Sequence, residues 1–253
     1  MKQFDLVFAI LLLTGCAAPE VVQNTNYKDK DLSKRDLTIL PIPDDGITVL
    51  NKDDVEDDFD DDKRKPEMIL QDEVYKTILK ASLKSLKRVH VIDTQFPASL
   101  FPSRKDTSQF FQVIARVRKD TTVDTFYVPR KAMLESHHIT PDIALCINTI
   151  EFGRNLTEPG PARFVPGNTV STPYGSFQEP GHFENGRSSE YLGSNFFYVI
   201  WDYKENQAIT YGLGKHSSML MLGMTNSTWK DNFKYIGVEI FKNSPFFWDF
   251  YAR

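Results

Sequence analysis

Cysteine is nearly missing from the chain, which has only Cys16 and Cys146. That excludes a framework of several disulfides and the paired-cysteine knuckles of structural zinc sites. Basic residues are not in excess either. The 30 Lys and Arg are outnumbered by 34 Asp and Glu, for a formal charge of -4, so the electrostatic footprint of a nucleic-acid binder is lacking. Long hydrophobic runs are scarce: after Leu13 no apolar stretch approaches the ~20 residues that cross a bilayer as a helix. Catalytic signatures are wanting too, with no Gly-x-Ser-x-Gly elbow and no His-Glu-x-x-His pair in the sequence. The run Gly212 to Ser217 invites a phosphate-loop reading and fails it. Ile209 stands where the first glycine belongs, and His216 stands at the Ser/Thr position. His137 and His138 with Asp142 and Cys146 match no zinc-ligand spacing, and the acids at 53–62 lack the glycine that turns a calcium loop. The sequence therefore assigns no catalytic residue, no metal site and no cofactor.

What is present begins at the amino end. Lys2 precedes an apolar run, Leu6 to Leu13, which is long enough for the core of an export signal and too short for a permanent span. The run ends in Leu13, Thr14, Gly15 and Cys16. These four residues resemble the lipobox of bacterial lipoproteins. The resemblance implies removal of residues 1–15 and acylation of Cys16 on sulfur and nitrogen. Several acyl chains attach durably, since each buried methylene contributes about 0.8 kcal/mol. By the same resemblance, Ala17 rather than an aspartate implies the outer membrane, with the folded body in the periplasm. Cys146 is then alone, and stability has to come from the core.

Residues 16–36 read as a polar, lipidated tether, and residues 37–253 as one domain. Leu37 to Leu40 reads as a short strand stopped by Pro41 and Pro43. The acidic block within 51–65 reads as a solvated loop, because packed carboxylates repel one another. From Pro66 the residues Ile69, Leu70, Val74, Ile78, Leu79, Leu83 and Leu86 recur at three- and four-residue spacing, which predicts the strongest helix. Its lysines, Lys76, Lys80, Lys84 and Lys87, read as a solvated face. Val89 to Asp93 reads as a strand. Thr107 or Ser108 is a candidate cap for a helix through Phe110, Phe111, Ile114 and Val117. A further short helix is expected between Pro129 and His138, with Ala132, Met133 and Leu134 inward. Ile143 to Phe152 is apolar on both faces, the mark of a central strand. The 153–189 stretch, rich in Gly and Pro, reads as a long loop without regular structure, and such loops are usually functional. Its aromatics, Phe164, Tyr174, Phe177 and Phe183, are the candidate partner-binding residues. A β-hairpin over 191–217 and a last helix capped by Asn226, Ser227 or Thr228 complete the chain.

The expected order is β-α-β-α-(α)-β-β-β-α, an α+β sandwich with helices packed on one mixed sheet. On Leu37 to Pro41, the helix leading to Val89 to Asp93, His138 to Leu145, and Tyr198 to Asp202, the chain resembles lipoproteins of the TolB N-terminal-like αβ fold. That group includes the curli secretion lipoprotein and the peptidoglycan-synthase activator. The resemblance implies a non-enzymatic envelope component that binds a protein partner through its domain. Its alternative implication is a homo-oligomeric ring subunit of a secretion complex. The 153–189 loop departs from the membrane hairpins of that channel, since it lacks sustained alternation.

Overall fold

The structure, a computed structural model, describes residues 21–94, 96, 101–116, 123–154, 163–165, 169–172, 175–178, 182–184, 190–220 and 224–248. Among these the chain forms β1 (Val21–Gln23), β2 (Asp36–Ile39), β3 (Ile47–Val49), α1 (Lys52–Asp58), α2 (Pro66–Ser85), β4 (Leu86–Lys87) and β5 (His90–Ile92). It continues with β6 (Phe110–Ala115), β7 (Asp124–Pro129), α3 (Lys131–Ser136) and β8 (Ile143–Arg154). Then follow β9 (Arg163–Val165), β10 (Thr169–Thr172), β11 (Gly175–Gln178), β12 (His182–Glu184), β13 (Tyr191–Asp202), β14 (Gln207–Met219), α4 (Asn226–Lys242) and β15 (Phe247–Trp248). This is an α+β fold built on a mixed seven-stranded sheet.

The strand expected to be central is central. The sheet runs β1-β14-β13-β8-β2-β5, and β3 takes the rest of the β8 edge beyond β2. Both faces of β8 are covered, as its sequence requires. On one face Ile143, Leu145, Ile147 and Phe152 pack with Ile69, Leu70, Val74 and Ile78 of α2 and Trp229, Phe233, Ile236 and Ile240 of α4. Each such large apolar side chain contributes roughly 1.5–3 kcal/mol by leaving water. On the other face Ala144 and Cys146 meet Val199 and Trp201 of β13, under a lid made of Phe110, Phe126 and Val128 from β6 and β7 and Leu134 from α3.

Several expectations are corrected. The segment expected to form a helix from Thr107 is instead β6, paired antiparallel with β7 from Phe110↔Pro129 to Ala115↔Asp124. The part of the expected tether from Val21 onward is folded: β1 pairs with β14, and Tyr27 is fully buried. The acidic block contains α1, with Val55 fully buried and Asp54 bonded to Arg154 at 2.5 Å. Ala132 and Leu83 face solvent, while Met133 and Leu134 are buried. The cap of α4 is Thr225, whose hydroxyl accepts from the Thr228 N–H. The 153–189 stretch contains four strands where a loop without regular structure was expected.

Candidate functional site

Of the residues singled out in the sequence, Cys16 and Tyr174 lie outside the described residues. Phe164, Phe177 and Phe183 fall on β9, β11 and β12. Those strands form two nested antiparallel ladders between β8 and β13. The outer one sets Arg163, Phe164 and Val165 opposite Glu184, Phe183 and His182. The inner one runs from Thr169↔Gln178 to Thr172↔Gly175. Equal steps along both strands lead from one ladder to the other, so the two share a single register. That register pairs Phe164 with Phe183 and Val170 with Phe177, while Arg163/Glu184, Thr169/Gln178 and Ser171/Ser176 are paired at alternate positions. Side chains alternate between the faces of a strand. Apolar and polar pairs thus fall at alternate positions of the register, with Val165/His182 a mixed pair in the phase of Arg163/Glu184. At ~3.3 Å per residue, the chain from Arg163 to Thr172 reaches at most about 30 Å.

A buried polar network fixes the opposite end of β13. Asp202, fully buried, accepts from Arg35 at 2.5 Å, from the Tyr27 hydroxyl at 2.9 Å, and from the backbone N–H groups of Lys204 and Glu205 at 2.9 and 3.0 Å. Asp142 joins it, bridging Arg35 at 3.4 Å and Lys204 at 2.8 Å. Burial together with the Asp202 carboxylate pushes the Tyr27 hydroxyl well above its usual range. The Asp142 carboxyl lies below its usual range: burial acts to raise it, and Lys204, the Asp36 N–H and Arg35 together outweigh that. This network shapes the turn from Tyr203 to Asn206, where Asn206 takes the left-handed φ of 52°.

Beside that turn lies a cleft of about 550 Å3. Phe111, Trp201 and Tyr203 supply its aromatic lining, with Arg130 and Lys131 at the start of α3 beside them. Phe111 and Trp201 meet edge to face with centroids 5.3 Å apart. The Tyr203 hydroxyl is committed, donating to the Pro129 carbonyl at 2.8 Å. Trp201 is 6% exposed, and its indole N–H has no acceptor among the described residues. A buried donor without a partner costs about 1–3 kcal/mol.

Other chemistry-bearing residues are held structurally. Cys146 is buried mid-strand, and burial pushes its thiol far above the range in which it ionises near neutral pH. The His137 ring packs edge-on against Phe96, and His90 pairs with Asp36 at the surface. His216 stacks on Tyr235 with centroids 4.8 Å apart. Among the described residues no group of three or more His, Cys, Asp or Glu is placed to hold a metal ion, and no helix is long and apolar enough to cross a membrane. The sequence reading missed the cleft. Its only linear trace is Phe111, Arg130, Lys131 and Trp201, which lie too far apart in the chain to read as a motif. Compared with known protein families and with curated proteins, the chain matches none of either.

Proposed function

We propose that the protein is an envelope lipoprotein, anchored in the outer membrane through an acylated Cys16, which acts in the periplasm as a non-enzymatic binding or assembly component. The observation that carries the binding role is the arm of β9 to β12, whose shared register pairs Phe164 with Phe183 and Val170 with Phe177. A long connection rich in Gly and Pro that nonetheless pairs into two ladders is of the kind that usually carries function. The anchor rests on Leu13 to Cys16 in the sequence. Given that anchor, the five residue steps from Cys16 to Val21 span at most about 18 Å. The β1 edge of the sheet is thus held close to the lipid. The test replaces residues 155–189 by a two-residue turn and compares the proteins that co-purify from detergent-solubilised membranes. Loss of partners with an unchanged melting temperature is the expected result. Retention of the same partners would remove the arm from the binding role.

A further inference from the structure

We propose that the outer edge of β6 and the cleft beside it form a docking site for the carboxyl-terminal end of a partner polypeptide. The end adds to β6 as an antiparallel strand, seats an apolar side chain on the aromatic floor and sets its carboxylate against Arg130 and Lys131. This deepens the binding role proposed above by naming the partner's chemistry, and it makes no use of the arm.

The first observation is backbone geometry. β6 pairs only with β7 among the described residues. Opposite Gln112 stands Tyr127, whose backbone is already taken from the other side: its N–H donates to the Asn148 side chain at 2.5 Å, and its carbonyl accepts from the same amide at 2.9 Å. Gln112↔Tyr127 is therefore a non-hydrogen-bonded pair of the ladder. The N–H and C=O of Gln112 point away from β7, and by the two-residue period so do those of Ile114. Phe110 keeps the same phase, since its N–H turns from β7 to the Asp106 carbonyl at 3.0 Å. β6 thus presents outward donors and acceptors at two successive positions.

The second observation is that this edge lacks the usual protection. Strand edges in soluble domains are commonly guarded by a charge, a proline or a bulge. The six residues of β6, Phe-Phe-Gln-Val-Ile-Ala, carry neither charge nor proline, their pairing with β7 is regular, and Ile114 is 69% exposed. An exposed edge of this kind is a template for strand addition, in which main-chain bonds give affinity and neighbouring pockets give specificity.

The third is the charge of the cleft. Its lining includes Arg130, Lys131, the Gln112 amide and the Trp201 indole, and no carboxylate. Glu135 pairs with Lys131 at 3.6 Å, and both side chains are exposed. The cations follow Pro129, which stands opposite Phe110, so they lie at the start of β6. A strand added antiparallel to β6 ends at that start, which brings its terminal carboxylate beside the guanidinium and the ammonium.

The test uses the purified chain and a labelled five-residue peptide of alternating threonine and valine that ends in phenylalanine, as free acid and as amide. Saturable binding of the free acid at least tenfold tighter than the amide is expected. Combining Arg130→Glu with Lys131→Glu should erase the difference. Gln112→Pro removes an outward N–H without touching the β7 ladder and should weaken both peptides at least tenfold with an unchanged circular dichroism spectrum. Equal binding of acid and amide, binding of neither, or indifference to these variants would overturn the proposal. Should the peptide fail while partner capture still depends on the arm, only this site is lost. Should capture not depend on the arm while the free acid binds as described, the site stands and the arm's role falls.

Discussion

Replacing Asp202 by alanine takes the centre from a network that ties the segment before β2 to the far end of β13. The carboxylate is fully buried and serves four donors: Arg35, the Tyr27 hydroxyl, and the backbone N–H groups of Lys204 and Glu205. Removing one partner of a buried charge pair costs about 3–5 kcal/mol. Arg35 keeps Asp142 at 3.4 Å, which places the loss at the lower end of that range. About 3 kcal/mol corresponds to a fall of roughly 6–12 °C in melting temperature for a domain of this size. Urea unfolding followed by tryptophan fluorescence measures it directly. Tyr27→Phe alone should cost about 2 kcal/mol, since hydrogen bonds to charged groups are worth about 1.5–3 kcal/mol. The double variant should lose less than the sum, because the two side chains share one bond. A loss below 1 kcal/mol for Asp202→Ala, or strict additivity, would refute the view that residues 21–35 are part of the folded body.

Trp229→Phe removes an indole N–H that donates to the Asp58 carboxylate at 2.8 Å. Hydrogen bonds to charged groups are worth about 1.5–3 kcal/mol, and a loss of about 2 kcal/mol in urea unfolding is expected. Burial holds the His216 imidazole below its usual range, Lys242 adding to the effect and Glu239 opposing it. The unfolded chain takes up this proton at the ordinary value, so the stabilisation is complete above that pH and is lost as pH falls toward the depressed folded value. The difference between urea midpoints at pH 7.5 and pH 5.5 should accordingly shrink in His216→Asn, and an undiminished difference would count against the burial argument. Cys146, with its thiol buried and pushed far up, should resist iodoacetamide at pH 8 in the folded chain and react on addition of urea. Phe177→Asp should reduce the co-purification of partners from solubilised membranes, and undiminished capture would count against the arm's role.

The parts of the fold that were legible are those in which local pattern and tertiary packing agree. α2 shows its buried stripe in the spacing of Ile69, Leu70, Val74 and Ile78, and β8 shows two covered faces in an unbroken apolar run. β6 was misread because Phe110, Phe111 and Ile114 satisfy helical spacing, while the competing alternation of Phe111, Val113 and Ala115 becomes decisive only once β7 lies alongside. In the acidic block the carboxylates hid Val55 and Phe59, two apolar residues four apart that anchor α1 to the core. The order of residues 21–35 depends on Asp202, a partner 175 residues from Tyr27. The arm escaped for a different reason. Its strands are only three or four residues long, too short for their alternation to stand out among the Gly and Pro that separate them.

The reading of this protein as a membrane-held binding component is tested most directly at its amino end. The chain should be extracted from membranes of expressing cells and its amino-terminal fragment weighed by mass spectrometry. A fragment that begins at Cys16 and carries acyl groups on sulfur and nitrogen is the expected result. An unacylated mature end, or a precursor that keeps residues 1–15, would contradict the account.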